Sequence, residues 1–168
     1  MTTLYAQPYD ISAVGFYFES AEEYYKNAKA LKNEYGDPVE EFEIQFIDGE
    51  DIDSDLCKAI GVNQANFSDF FDACDSWDEN QKLKVIIAVG EEGYRFDLES
   101  GDPNDFEIDL YEMDSLKELA EQFVEEGSFG DIPENLKNYI DYEAIARDLG
   151  MEYKEARIDG TNYIYRMA

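Results

Sequence analysis

The chain has no histidine, and this absence removes several classes of enzyme. A Ser-His-Asp triad and a Cys-His nucleophile pair both need an imidazole as the base. Two cysteines without histidine cannot supply the four ligands of a usual structural zinc site. No glycine-rich phosphate loop of the GxxxxGK(S/T) or GxGxxG type occurs. We therefore expect a binding protein without catalytic residues, cofactor or metal.

Cysteines and long apolar runs are also scarce. The two cysteines, Cys57 and Cys74, make no disulfide framework, which is typical of a protein in a reducing cytoplasm. We expect both thiols to pack as small buried side chains. No run of eighteen apolar residues occurs, and the N-terminus lacks a basic segment followed by an apolar one. The sequence thus predicts neither a membrane span nor a secretory signal.

Basic residues are few, and their shortage is uneven. The chain has 41 Asp and Glu against 13 Lys and Arg, a net charge of −28. Residues 1–32 and 137–168 each carry a net charge of −1, whereas residues 33–136 carry −26. Such a surface repels nucleic acid and anionic lipid and attracts basic protein surfaces. We therefore expect a basic protein as partner and neither nucleic acid nor membrane.

Aromatic residues are abundant and predict a folded protein. Low hydrophobicity with high net charge is typical of disorder, but 13 Tyr, 11 Phe and one Trp can bury large areas. The pattern predicts an α+β fold made of three small units in a row. These are a mixed α/β unit over residues 1–52, a helical unit over 53–92, and an α+β unit over 93–168 with a C-terminal hairpin.

Local patterns place the first elements. Ala13–Phe18 is rich in aromatic residues and predicts a strand. Ser20 and Glu23 fit a capping box, in which the Glu23 carboxylate reaches back to the Ser20 amide, before a helix that ends near Glu34. Glu41–Asp48 alternates apolar and polar residues and predicts an amphipathic strand with an acidic outer face.

Later elements follow the same logic. Phe106–Tyr111 alternates like a second amphipathic strand, and Asp114 or Ser115 caps the helix after it. Pro133 suits the first position of a short helix. Asp-Gly at 159–160, between two strand-like runs, is the strongest short hairpin signal in the chain.

Carboxylates recur on the outer faces of these helices and strands, and they form the acidic surface that we expect to carry function. At one charge per about 1.7 Å of duplex axis, 28 charges match about 48 Å of DNA, or roughly 14 base pairs. Imitation of DNA and a role as acidic adaptor or chaperone for a basic protein both remain open from charge alone. The residues of the predicted acidic surface are Glu41, Glu43, Asp48, Glu50, Asp51, Asp53, Asp55, Asp69, Asp72, Asp75, Asp78, Glu79, Glu91, Glu92, Glu107, Asp109, Glu118, Glu121, Glu125 and Glu126.

The acidic run at 48–55 does not fit an EF-hand calcium loop. With Asp51, Asp53 and Asp55 at loop positions 1, 3 and 5, Leu56 falls where glycine is needed. Val62 falls where the bidentate glutamate belongs. No designed calcium site is expected.

One run resembles a known family. Residues 127–149 read GSFGDIPENLKNYIDYEAIARDL, which is similar to the C-terminal signature of the ArdA antirestriction proteins. The preceding SLKELAEQFVEEG and the following DGTNYIYR also resemble that family. The likeness is strong over residues 112–168 and weaker but collinear before them. The early runs YAQP and FYF are only loosely similar to the family's first hairpin.

The resemblance implies a function and a dimer. ArdA proteins are encoded on mobile elements and phages, and they are elongated, three-part homodimers. They imitate bent B-form DNA and block type I restriction–modification enzymes, and dimerisation is attributed mainly to the C-terminal part. Carried over to this sequence, the resemblance gives as interface candidates Phe129, Ile132, Pro133, Tyr139, Ile140 and Tyr142. Any one of these six side chains could equally belong to the core.

Overall fold

The computed structural model describes all 168 residues, which form two compact units, Met1–Asp105 and Phe106–Ala168. Each unit joins helices to one small antiparallel sheet, so the predicted α+β class is confirmed. The division into three units, with boundaries near residues 52 and 92, stays a prediction. None of the helices combines the length and apolar composition of a membrane-spanning segment.

The first unit begins with a three-stranded sheet of order β2-β1-β3. Its strands are β1 (Thr3–Pro8), β2 (Phe16–Phe18) and β3 (Phe42–Asp48). The strand predicted over 13–18 is shorter than expected because a turn occupies its beginning. Asp10 organises that turn: its carboxylate accepts a hydrogen bond from the Ser12 amide, and its carbonyl accepts one from the Ala13 amide.

Helix α1 spans Ala21–Ala30 and ends before the predicted Glu34. Leu31 has extended backbone, and the Asn33 side chain accepts hydrogen bonds from the Tyr35 and Asp37 amides, which forms a turn in place of another helical one. Ser20 caps the helix as predicted. The predicted second half of the capping box is wrong, because Glu23 accepts from the Glu19 amide and not from that of Ser20.

The rest of the first unit is helical, and its helices cover one face of the sheet with an aromatic core. Phe18 is fully buried, and its ring centroid lies 5.0 Å from that of Tyr24, which lies 4.4 Å from that of Phe67. Burial of such rings contributes about 1.5–3 kcal/mol each. The helices are α2 (Asp51–Ile60), α3 (Phe67–Ser76) and α4 (Glu79–Val85), followed by a π-helical turn over Ile86–Glu91 and a 3₁₀ turn over Pro103–Asp105.

The second unit carries a sheet of order β4-β6-β5 and two packed helices. Leu119, Tyr153 and Ile164 form the centre of its core. The predicted hairpin is confirmed: Asp159 and Gly160 have φ of 51° and 70°, and β5 pairs with β6 on either side. The elements are β4 (Ile108–Glu112), α5 (Leu116–Glu125), a 3₁₀ helix (Glu134–Tyr139), α6 (Tyr142–Leu149), β5 (Lys154–Ile158) and β6 (Thr161–Met167).

The starts of four elements in this unit refine the predictions. Ser115 caps α5 by accepting a hydrogen bond from the Glu118 amide. Pro133 precedes the 3₁₀ helix and is not its first residue, which corrects the prediction. Asp141 caps α6 through the Ala144 amide. Strand β4 begins two residues after the predicted Phe106.

Candidate functional site

The acidic surface is mostly exposed, as the sequence predicts. Fifteen of its twenty carboxylate residues are exposed, four are half-buried and one is buried. The half-buried residues are Asp55, Asp69, Glu92 and Asp109, and the buried one is Asp53. The exposed residues are Glu41, Glu43, Asp48, Glu50, Asp51, Asp72, Asp75, Asp78, Glu79, Glu91, Glu107, Glu118, Glu121, Glu125 and Glu126.

Two helices present carboxylates in rows. In α3, Asp72 and Asp75 lie on the outer side, whereas Phe70 and Ala73 are buried, and the helix has no basic residue. In α5, Glu118, Glu121 and Glu125 are exposed opposite the buried Leu119 and Ala120. Residues three apart on a helix are separated by about 4.5 Å along its axis, and one DNA strand carries a phosphate for roughly every 3.4 Å of duplex axis. The carboxylate rows are therefore spaced on the same scale as phosphates, but less densely.

Strand β3 adds carboxylates at its outer face. Phe42 and Ile44 are buried and Glu43 is exposed, which confirms the predicted alternation. The alternation breaks at Ile47, which is exposed where the pairing with β1 shifts register between Thr3 and Leu4. The acidic face therefore ends in a bulge with an apolar side chain at the surface.

Asp53 does not belong to the acidic surface, and its assignment there is corrected. The Asp53 and Lys82 side chains are 4% and 5% exposed, and Nζ of Lys82 lies 2.7 Å from Oδ1 of Asp53. At this distance the ammonium group compensates the negative charge of the buried carboxylate. The same Nζ lies 3.9 Å from Oε2 of Glu50, whose side chain is exposed.

Helical spacing could have identified this pair. Asp53 precedes the buried Leu56 by three residues, and Lys82 precedes the buried Val85 by three. Both therefore lie on the inward faces of α2 and α4, which pack together. Residues of opposite charge on the inward faces of two packed helices are the sequence signal of a buried ion pair.

Asp109 is exposed in part but is not available as a free carboxylate. Nε of Arg166 donates a hydrogen bond to its Oδ2 (3.0 Å), and Nη2 of Arg166 pairs with the same oxygen. The guanidinium group also lies 5.0 Å from the Tyr153 ring centre and 3.3 Å from Glu152. The hydrogen bond to Asp109 and the charge interaction with Tyr153 raise the pKa of Arg166. This cluster therefore neutralises Asp109, one residue of the predicted acidic surface.

The six interface candidates all retain solvent exposure. Phe129, Pro133 and Tyr139 are exposed, and Tyr139 is 82% exposed. Ile132, Ile140 and Tyr142 are half-buried. No one of the six is fully buried, but the Phe129 ring lies 6.4 Å from that of Phe123, which packs against the core of the second unit. Both interpretations of these side chains, as interface and as core packing, stay predictions.

A groove of about 640 Å³ lies beside these candidates and includes two of them, Ile132 and Tyr142. Val124 and Gly130 line it together with acidic side chains. One basic residue, Lys137, also lines the groove and is paired with Glu134 at 2.8 Å. The hydrogen bond from that pair raises the pKa of Lys137. Apolar and charged side chains both line the groove.

Both cysteines are half-buried, whereas the sequence predicted buried thiols. Burial nevertheless raises the pKa of Cys57 to about 11 and that of Cys74 to about 12, with the nearby Asp53 adding to the second shift. Neither thiol has the low pKa of a reactive nucleophile. No group of three or more His, Cys, Asp or Glu side chains is arranged to hold a metal ion.

Comparison with protein families gives one match. The model of a family described as "Antirestriction protein (ArdA)" matches residues 10–162, which is nearly the whole chain. A comparison with curated proteins gave no match. The matched residues include α3 and α5 with their carboxylate rows and the groove between residues 121 and 142.

Proposed function

The chain belongs to the ArdA antirestriction family, and we propose that it acts as a mimic of B-form DNA. In this proposal it occupies the DNA-binding groove of type I restriction–modification enzymes and blocks them by competition. The observation that carries the proposal is the exposure of fifteen carboxylates at the predicted positions, in rows without intervening bases on α3. A net charge of −28 is far larger than solubility requires.

The mechanism is electrostatic replacement without catalysis. Lysine and arginine side chains that contact phosphates in the target would contact carboxylates of this chain instead. Long-range attraction speeds the encounter, and it weakens as salt screens the charges. Because phosphate contacts position a ligand and do not specify it, no single carboxylate should dominate.

A homodimer would extend the imitation. Tyr139 and Tyr142 lie within residues 137–168, which carry only −1, whereas Phe129 and the groove's acidic side chains lie within residues 33–136, which carry −26. Two polyanions associate most easily through their least charged residues, so the dimer contact should centre on Tyr139 and Tyr142. Sedimentation equilibrium tests the dimer: a mass of 19.4 kDa at all concentrations would contradict it.

The decisive experiment measures DNA cleavage by a purified type I restriction enzyme in the presence of this protein. We expect complete inhibition near stoichiometric amounts, relieved by added duplex DNA. Unimpaired cleavage at stoichiometric excess would reject the proposal and favour an adaptor for another basic protein.

A graded series of variants tests the distributed mechanism. Glu121→Gln alone should change inhibition less than twofold. Ten amide substitutions together should weaken binding strongly and flatten its dependence on salt, because fewer ion pairs form. None of the ten caps a helix, so circular dichroism should be unchanged. The ten are Glu41, Glu43, Asp51, Asp72, Asp75, Glu79, Glu91, Glu107, Glu121 and Glu125. Loss of all inhibition from Glu121→Gln would contradict a distributed surface.

A further inference from the structure

Residues 9–17 of the first unit form a surface of a different kind, which we call the neutral loop. Ile11 is 101% exposed and Val14 is 78% exposed, and Tyr9 and Tyr17 are both more than half exposed. Single exposed apolar residues are common on proteins. Four within nine residues are unusual and have the composition of the centre of a protein interface.

The neutral loop is held in one conformation. Oδ1 of Asp10 accepts hydrogen bonds from the Ser12 amide (2.9 Å) and hydroxyl (2.8 Å), and its Oδ2 accepts one from Nδ2 of Asn33 (3.0 Å). The bonds from Asn33 and Ser12 lower the pKa of Asp10. The Tyr9 amide donates to the Glu41 carbonyl. A loop that is already ordered loses little entropy when a partner binds it.

Close packing at the end of the neutral loop fixes it further. A Cβ atom on Gly15 would lie 2.3 Å from the carbonyl oxygen of Ala6 and 2.6 Å from the Tyr5 hydroxyl. Only glycine allows this approach. The Tyr5 and Tyr17 rings lie 4.8 Å apart, so the loop continues into a paired aromatic surface on β1 and β2.

The neutral loop differs from the acidic surface in charge. Residues 1–18 contain one acidic residue, Asp10, and no lysine or arginine, in a chain of net charge −28. Asp10 is itself engaged in the hydrogen bonds that hold the loop. Contacts made here would therefore be apolar and would depend little on salt.

Charge also selects the occupant. A second copy is already assigned to the interface candidates of the other unit, Phe106–Ala168, and nucleic acid is repelled by a chain of net charge −28. A protein with a cationic groove is attracted to the acidic surface, and the neutral loop is part of the same compact unit as fourteen of its twenty residues. An uncharged, apolar surface on such a protein, beside the groove, fits the loop.

We propose that the neutral loop is a second contact surface, which docks against an apolar patch of the target enzyme next to its DNA-binding groove. This inference rests on the proposed function. The acidic surface would set the rate of encounter and the salt dependence, whereas the neutral loop would slow dissociation. DNA has no equivalent of this surface, so it would help the protein to compete with real substrate.

The test compares two surface variants for binding to a purified type I restriction–modification enzyme. Ile11→Ser combined with Val14→Ser should weaken binding about tenfold or more, through faster dissociation, with an unchanged slope of affinity against salt. The control is Met151→Ser, which changes an apolar side chain that is 83% exposed in the second unit and belongs neither to the acidic surface nor to the interface candidates. It should bind like the wild type, and all three proteins should melt at the same temperature.

The other outcomes overturn the inference. Wild-type affinity for the double variant would show that the neutral loop makes no contact. A changed monomer–dimer equilibrium in that variant would assign the loop to self-association. Equal loss from Met151→Ser would mean that the effect is not specific to the loop. A wild-type protein that does not bind the enzyme would reject the proposed function itself, which is a distinct result.

Discussion

Both units of the molecule pair a residue of the predicted acidic surface with a basic side chain, but they do so at different depths. In the first unit the Lys82–Asp53 pair is enclosed, with side chains 5% and 4% exposed. In the second unit both members of the Arg166–Asp109 pair are 39% exposed. The comparison teaches that an acidic residue in an acidic sequence does not necessarily present a free carboxylate at the surface. Its surroundings decide whether its carboxylate is exposed or is paired with a basic side chain.

Depth also sets what each pair contributes to stability. Removal of one partner from a buried pair leaves an uncompensated charge in the interior, which is strongly destabilising. An exposed pair is screened by water and salt and contributes little. The same chemical interaction should therefore be essential in one unit and nearly dispensable in the other.

Lys82→Met tests the buried side of the comparison and should have the largest effect. The Asp53 carboxylate would remain buried without its counterion, and the free energy of unfolding should fall by about 3–5 kcal/mol. Urea unfolding followed by Trp77 fluorescence measures this, since the single tryptophan lies in the first unit.

Lys82→Met combined with Asp53→Leu is the matched control. An apolar pair of similar volume should recover most of the lost stability, because no charge is left in the interior. A single variant as stable as the wild type would show that the carboxylate finds another counterion and would break the comparison.

Arg166→Met tests the exposed side. The pair with Asp109 and the contact with the Tyr153 ring together should contribute about 1 kcal/mol or less, since both are partly solvated. Hydrogen exchange of the β6 amides reports the stability of the second unit. A loss as large as that from Lys82→Met would mean that burial does not distinguish the two pairs.

The sequence predicted features that depend on near neighbours. The Asp159–Gly160 hairpin and the Ser115 cap follow from residues within four positions of each other. The short β2 was missed because Asn33, 23 residues away, binds Asp10 and stabilises the preceding turn. The Arg166–Asp109 pair spans 57 residues and has no local signal. The burial of Asp53 was not predicted, although its spacing to Leu56 places it on the inward face of α2.

The smallest expected difference between the units concerns stability at alkaline pH, because both cysteines lie in the first unit. Burial raises the pKa of Cys74 from 9.0 to about 12 in the folded chain. The stabilisation is complete below pH 9 and decreases as pH rises toward 12, because the unfolded chain then releases a proton that the folded chain retains. Between pH 8 and pH 10, the urea midpoint should therefore fall slightly more for the wild type than for Cys74→Ala. Since the thiol is half-exposed, this difference should be smaller than the effect of Arg166→Met, and parallel curves would show that the thiol ionises equally in both states.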